Sequence, residues 1–302
     1  MQRPKHLNHM DTENVDYFGC ISKPWGLNLP ELDIVPDVYV EYSFNRFLEE
    51  LSKQTNNDGF LYPPIVYSAY SGHGTEVKPI PNSKRPAHMW QAPASHRIVY
   101  KTVTRESARM GIAGFIIHLL GFLVGQTAQF FDWQVTGRIP IKAKKDFCFL
   151  EASWHKYVET ALTTWHSLDA DGQKRLTNIL YCRGRIFAYE SFWEEFVFNY
   201  MLADSIWRFK FNRGGIPHSV KIPIMCKELN LHEDAVIFKK IINLRNEIFH
   251  ESLWAKGMPG YTLTGIEEAL HLGTIVEQLI VRCLGFTAKL PPWTLSVNYS
   301  LE

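Results

Sequence analysis

Residues 230–254 have the sequence NLHEDAVIFKKIINLRNEIFHESLW, in which apolar side chains recur with the period of an α-helix. At about 100° per residue, these side chains fall into two adjoining arcs, the first about 60° wide. The first arc holds Ile237, Ile241, Leu244 and Ile248, and the second holds Phe238, Ile242, Phe249 and Leu253. Asn230 and Glu233 match a capping box, so we expect the helix to begin there and to end near Gly257 and Pro259. The stretch predicts a helix that buries one face in a helical core.

Arg245 does not fit this pattern, because it lies between the two apolar arcs. An arginine cannot shed its charge, so it must pair with an acid, reach a solvent-filled cleft or bind an anionic ligand. One interpretation is a buried ion pair with a carboxylate of the aromatic segment upstream: Glu190, Glu194 or Glu195. The other is that Arg245 belongs to a binding site.

Asn246 and His250 favour the second interpretation, because they lie four residues apart on the polar face of the same helix. A single histidine on a helix is usually a solvated side chain. Together with Arg245, however, the two residues form the pattern R-N-x-x-x-H.

This pattern resembles the R-x4-6-H motif of HEPN-domain proteins, in which a polar residue follows the arginine. The context LRNEIFHESLW at residues 244–254 is similar to the ApeA-like HEPN group in particular, as is LADSIW at residues 202–207. The resemblance covers about residues 150–285. It is looser over 105–150, around the Gly-Arg-Ile-Pro stretch, and offers nothing specific before residue 100.

The resemblance implies a helical bundle that cleaves RNA without a metal ion, with Arg245 and His250 as catalytic residues and Asn246 in support. The chemistry is consistent with these residue types. A base must take the proton of a 2′-hydroxyl, and a cation must hold the phosphate as its oxygens gain charge. Histidine titrates near neutral pH, and arginine binds phosphate with two donors. The expected products carry a 2′,3′-cyclic phosphate and a free 5′-hydroxyl.

The spacing of the motif predicts a homodimer. In a regular α-helix, five residues separate Arg245 from His250 by about 7.5 Å along the axis and about 140° around it. One copy would surround a phosphate poorly, whereas two copies related by a two-fold axis would share a cleft, as HEPN proteins generally do. We therefore expect a homodimer through the C-terminal bundle.

The rest of the C-terminal half also has helical patterns. We predict helices over Trp154–Ser167, from Asp169 through Leu180, over Arg185–Phe211, and from a Thr264–Glu267 cap to Gly285. Residues 146–302 are therefore interpreted as a HEPN-like bundle of about five helices.

The N-terminal half has a different character, mixed α/β. We assign residues 1–30 to a flexible leader and 31–145 to a small α/β region. Strands are expected at Val38–Tyr42, Phe60–Tyr70 and Arg97–Val103, a helix at Phe44–Lys53, a turn at Asn56–Gly59, and a loop at Ser71–Pro93. An apolar helix near residues 105–131 begins at a Thr104 cap. Its apolar run of about 15 residues is too short for a membrane span. The fold class expected for the whole chain is α+β.

Composition limits the remaining possibilities. The chain has 32 Lys and Arg residues against 31 Asp and Glu residues. Its net charge therefore gives no overall electrostatic attraction to nucleic acid or membranes. The five cysteines are dispersed, as in a reducing cytoplasm: Cys20, Cys148, Cys182, Cys226 and Cys283. Phosphate-binding, dinucleotide-binding, zinc-protease and serine-hydrolase motifs do not occur, so we expect no cofactor and no metal ion.

Two functions from different classes remain open. The first is a cytoplasmic HEPN ribonuclease, a defence or toxin effector whose N-terminal region responds to a trigger or regulator. The second is a non-catalytic HEPN-like module that binds RNA, a nucleotide or a protein. A core helix that carries the motif by chance is the third possibility, and the length of the flanking resemblance opposes it.

Overall fold

The computed structural model describes residues 14–19, 21, 24–36, 44–57, 59–62, 89–91, 93–136, 138–141, 154–186, 191–231, 234–257 and 264–286. The chain divides into two compact units, residues 1–145 and residues 146–302. The first unit mixes strands with helices, whereas the described elements of the second unit are helices. The α+β class expected from the sequence is therefore confirmed at that level.

The strands of the first unit are short. They are β1 (Val15–Gly19), β2 (Leu27–Asn28), β3 (Leu32–Val35), β4 (Phe60–Leu61), β5 (Met89–Gln91), β6 (His96–Tyr100), β7 (Gln129–Phe130), β8 (Gln134–Thr136) and β9 (Ile139–Pro140). Five of them form an antiparallel sheet in the order β2-β3-β6-β1-β7. β4 pairs with β9, and β5 pairs with β8.

The assignment of residues 1–30 to a flexible leader is wrong for Val15–Gly19 and Leu27–Asn28, which form strands. β1 lies between β6 and β7, and its Phe18 is fully buried. Asp16 of the same strand is buried as well, and it accepts hydrogen bonds from Arg109 and from the Tyr100 hydroxyl. The sequence gives only weak evidence for β1, because this strand is five residues long and carries the charged residue Asp16. β1 nevertheless lies in the interior of the sheet.

The helix expected near residues 105–131 is in fact two helices and a strand. α2 (Arg105–Met110) begins at the expected Thr104 cap and α3 (Ile112–Val124) follows it after Gly111. α3 ends because Gly125 takes a left-handed conformation, with φ 67°. Residues 129–130 then form β7. No helix in the described part of the chain is both long enough and apolar enough to cross a membrane.

The other predictions for this unit are confirmed in part. α1 (Phe44–Gln54) matches the expected helix, and a backbone hydrogen bond from Gly59 to Asn56 closes the expected turn. The strand expected to begin at Phe60 is only two residues long within the described part, and the one at Arg97 is shifted to His96–Tyr100. The strand expected at residues 38–42 and most of the loop expected at residues 71–93 lie outside the described residues.

His118 gives the first unit a specific sensitivity to acid. Burial within α3 lowers its pKa from about 6.5 to about 4, and a hydrogen bond with the Ala128 backbone opposes the shift. The unfolded chain therefore takes up a proton at a higher pH than the folded chain does. This difference in proton uptake stabilises the folded state fully above about pH 6.5, and the stabilisation is lost as the pH falls towards 4. It amounts to about 3 kcal/mol at most.

Replacing this side chain with a neutral one of similar size tests the effect. In His118→Gln, we expect the free energy of unfolding to fall less between pH 6.5 and pH 4 than it does in the wild type. Urea titrations at several pH values measure this difference. Identical acid sensitivity in the two proteins would contradict it.

The second unit contains six helices among its described residues. They are α4 (Trp154–His166), α5 (Ala170–Ile186), α6 (Phe192–Lys210), α7 (His218–Glu228), α8 (Ala235–Asn246) and α9 (Ile266–Cys283). α6 packs against α5, α7 and α9, and α7 also packs against α8. α6 and α9 each contact several other helices and form the centre of the described bundle.

Several helix boundaries differ from the sequence predictions. The helix expected over Arg185–Phe211 is two, since Arg185 belongs to α5 and α6 begins at Phe192. α8 begins after Asp234, whose side chain accepts hydrogen bonds from the backbone N–H groups of residues 236 and 237. Asn230, expected in a capping box, instead lies just after α7 with φ 53°. α9 begins after Gly265 without a side-chain cap, so the expected Thr264–Glu267 cap is also wrong.

A buried charge lies in the core of this bundle. Arg183 of α5 donates hydrogen bonds to Asn199 of α6 and to Glu277 of α9. Each of the three helices supplies one member of this polar group. A buried arginine needs such partners, since its charge cannot be neutralised.

α8 continues into a turn of π-helix, Glu247–Glu251. Its defining hydrogen bond runs from the backbone N–H of Ser252 to the carbonyl of Glu247, five residues earlier. Ser252 then takes a left-handed conformation, with φ 56°, and ends the helix. π-Turns are rare in proteins. Those that occur are often found at functional sites.

Candidate functional site

The three candidate residues lie at the junction of α8 and the π-turn. Arg245 and Asn246 are the last two residues of α8, and His250 belongs to the π-turn. Asn246 and His250 are exposed, and Arg245 is partly buried. The polar face expected for Asn246 and His250 is therefore accessible to a ligand.

Arg245 and His250 are in direct contact, which regular helix geometry does not predict. Arg245 Nη1 lies 2.9 Å from His250 Nε2. In a π-turn, residues five apart are neighbours along the axis, because hydrogen bonds connect residue i with residue i+5. The two side chains are therefore closer than a separation of about 140° around a regular α-helix implies. One chain brings both side chains together, so the spacing no longer requires a second copy.

The hydrogen bonds of this group determine which imidazole nitrogen carries a proton. An arginine N–H can only donate, so His250 Nε2 accepts from Arg245 and the proton of a neutral ring lies on Nδ1. Arg245 Nη1 also donates to the Asn246 side-chain oxygen, at 3.1 Å. Asn246 thereby orients the guanidinium. In this arrangement the lone pair of His250 Nε2 is occupied by Arg245.

The guanidinium lies against two aromatic rings. Its Cζ is 5.8 Å from the centre of the Tyr200 ring and 5.1 Å from that of Phe249. Tyr200 is buried, whereas Phe249 is 44% exposed. These rings support Arg245 through cation–π contacts, and among the described residues the guanidinium Nε is buried without a hydrogen-bond partner.

The alternative of a buried ion pair is not observed within the described part of the chain. No described carboxylate lies within 4.0 Å of Arg245, whose polar partners are Asn246 and His250. Glu194 instead accepts a hydrogen bond from Ser191. Glu190 lies outside the described residues. Within the described residues, the positive charge of Arg245 therefore has no neutralising acid.

A second polar group lies beside the first, and the sequence did not predict it. His218, the first residue of α7, places Nδ1 at 3.1 Å from Asp204 Oδ2 on α6. Lys221 Nζ lies 2.8 Å from the other oxygen of Asp204. Asp204 belongs to the LADSIW segment that carries part of the family resemblance, which is the only sequence signal for this group.

Tyr200 connects the two groups. Its ring centre lies 6.5 Å from that of His218 and 6.3 Å from that of Phe249, and its hydroxyl donates to the His218 carbonyl at 3.4 Å. Burial raises the pKa of the Tyr200 phenol above its ordinary value, while the charge of Arg245 opposes that shift. The Tyr200 phenol therefore stays neutral where it contacts Arg245 and His218.

The arrangement provides proton-transfer groups and cations but no metal centre within the described residues. No group of three or more His, Cys, Asp or Glu side chains there is placed to hold a metal ion. The chemistry available to the described site is that of imidazole, guanidinium and amide groups. Comparisons with protein-family models, with curated proteins and with solved structures found no match to this chain.

Proposed function

We propose that this chain is a metal-independent endoribonuclease of the HEPN type, with Arg245 and His250 as catalytic residues and Asn246 as a positioning residue. The observation that carries the proposal is the 2.9 Å contact between Arg245 Nη1 and His250 Nε2 on an accessible surface. A cation and a base in contact are the two groups that cleavage of RNA at a 2′-hydroxyl needs. The resemblance of LRNEIFHESLW to HEPN motifs supports the same assignment.

Phosphate binding would activate the histidine. A phosphodiester accepts two hydrogen bonds from a guanidinium, and this draws Arg245 away from His250. His250 Nε2 then has a free lone pair and takes the proton of the 2′-hydroxyl. The 2′-oxygen attacks phosphorus, and the charge that develops on the phosphate oxygens is stabilised by Arg245.

The proposal also covers the oligomeric state and the cellular role of the protein. We propose a homodimer through the C-terminal bundle, supported by the family resemblance and by Phe249, an exposed aromatic residue beside Arg245. We also propose a cytoplasmic defence or toxin effector whose N-terminal unit responds to a trigger or regulator. The dispersed cysteines support a reducing compartment.

Cleavage of RNA in the presence of a chelator tests the proposed chemistry. We expect the purified protein to cut a labelled RNA pool equally well with and without EDTA, because its described catalytic groups are side chains. Mass spectrometry of the fragments should find 2′,3′-cyclic phosphate and 5′-hydroxyl ends.

Two other outcomes would reject this assignment. Activity that disappears with EDTA and returns with a divalent ion would require a different mechanism. RNA binding without cleavage would favour the non-catalytic module, in which Arg245 and Asn246 hold a phosphate that His250 does not attack.

A further inference from the structure

We propose that His218, oriented by Asp204, is the second proton-transfer residue of this site and acts as the general acid. The inference rests on the proposed ribonuclease function and adds a catalytic residue that lies on a different helix from the R-N-x-x-x-H motif. In this assignment His250 takes a proton from the substrate and His218 gives one to it, and both residues belong to the same chain.

The contact between His218 and Asp204 fixes the orientation of the imidazole. In the protonated ring that a general acid requires, Nδ1–H faces Asp204 Oδ2 at 3.1 Å, which is an ion-pair contact. In the described part of the chain, Nε2 has no hydrogen-bond partner, and the His218 side chain is 47% exposed. A histidine held at Nδ1 by a carboxylate, with Nε2 directed away from it, is arranged to exchange protons with a substrate.

The surroundings of His218 are polar and of mixed charge. Lys221 Nζ lies 3.5 Å from His218 Nδ1, which accepts its hydrogen bond when the ring is neutral, and 2.8 Å from Asp204 Oδ1. Tyr200 faces the ring from α6. These three residues are the charged and titratable side chains recorded in contact with His218 among the described residues.

Tyr200 is in contact with a residue of each polar group. The Tyr200 ring lies against the Arg245 guanidinium and also against the His218 ring. A base for the attacking oxygen and an acid for the leaving oxygen must approach the phosphorus from two sides. In the proposed mechanism, His250 supplies the base and His218 supplies the acid.

The proposed step balances without a further reactant. His250 Nε2 takes the proton of the 2′-hydroxyl, and the 2′-oxygen forms a bond to phosphorus. The bond between phosphorus and the 5′-oxygen breaks, and that oxygen receives the Nε2 proton of the His218 imidazolium. The products are a 2′,3′-cyclic phosphate and a 5′-hydroxyl, and proton exchange with water restores both histidines.

A substrate whose leaving group needs no proton can show whether His218 is a general acid or a binding residue. Loss of a general acid should slow cleavage only when the leaving group needs a proton. The substrate is a short RNA whose cleavage site has been mapped with the wild-type protein, prepared with an ordinary linkage or with sulfur in place of the bridging 5′-oxygen. We expect His218→Ala to lower the rate on the ordinary linkage by about 10²–10⁴-fold and to cleave the sulfur linkage at close to the wild-type rate. Asp204→Asn should show a smaller defect of the same kind.

Control variants and pH profiles complete the test. His250→Ala should lose cleavage of both linkages, whereas His155→Ala, an exposed histidine on α4, should lose neither. The general acid must be protonated, so wild-type activity on the ordinary linkage should fall at alkaline pH. That alkaline decrease should disappear in His218→Ala.

An equal loss on both linkages would overturn the proposal, because His218 would then bind substrate or maintain the fold. Unchanged rates in His218→Ala would also overturn it, and would leave the acid to a second copy of the chain. A wild-type protein that cleaves neither linkage rejects the ribonuclease function itself, and this is known before any variant is compared.

Discussion

The His250→Ala variant is expected to lose RNA cleavage by about 10²–10⁴-fold while its fold is retained. His250 is exposed, and its recorded contact is the hydrogen bond to Arg245, so the substitution removes no core volume. Substitutions of this kind usually change the free energy of unfolding by no more than about 0.5 kcal/mol. Initial rates on a labelled RNA and melting curves of the same preparations measure both quantities.

The matched control for this variant is His155→Ala, which removes an exposed histidine from another helix of the same unit. Arg245→Ala is a weaker probe, because it also leaves the rings of Tyr200 and Phe249 without their cation. Equal cleavage by wild type and His250→Ala would place the activity elsewhere. A much lower melting temperature would instead make His250 a structural residue.

Mixing the two inactive variants shows whether one site draws on two chains. If two copies share a cleft, a mixed dimer of Arg245→Ala and His250→Ala regains one arginine and one histidine. Partial recovery of activity on mixing is then expected. If each chain contains a complete site, as the contact between Arg245 and His250 allows, mixing restores nothing.

The sequence identified the residues of the motif but not their arrangement. Apolar periodicity placed Arg245 against the apolar face and Asn246 and His250 on the polar face, and the structure agrees on the exposure of the last two. Angular arithmetic assumes a regular α-helix, however, and the π-turn invalidates it. The next loop helps to hold this turn, because the Glu247 side chain accepts a hydrogen bond from the backbone N–H of Lys256. Helical periodicity cannot predict such a contact, because one of its two residues lies in the loop after the helix.

The His218–Asp204 pair shows a second limit of sequence reasoning. The two residues lie on different helices, and only the packing of α7 against α6 brings them together. α7 itself carries Pro223 in its interior, which disfavours a helix prediction. In the first unit, the sequence did not predict β1, because a short strand lacks the length that a periodic pattern needs.

Trp254→Ala is expected to cost about 3–5 kcal/mol of unfolding free energy and also to impair cleavage by the protein that remains folded. Trp254 is 2% exposed, and its ring packs edge-on against Phe196 of α6, with centres 5.8 Å apart. The backbone of Trp254 exchanges two hydrogen bonds of 2.8 Å with that of Gly257. Its indole also covers Gly265, where an added Cβ would lie 3.0 Å from the ring.

Loss of activity should follow because Trp254 holds the end of the loop that leaves the π-turn. Without it, the turn can relax towards a regular helix, in which Arg245 and His250 lie on different sides of the helix and cannot act on one phosphate. The control is Trp165→Ala, a buried tryptophan of α4 whose indole donates to the carbonyl of Gln173 on α5. Urea unfolding should find comparable destabilisation in the two variants. At a temperature where both are folded, only Trp254→Ala should cleave slowly, and equal rates would show that the π-turn persists without the Trp254 ring.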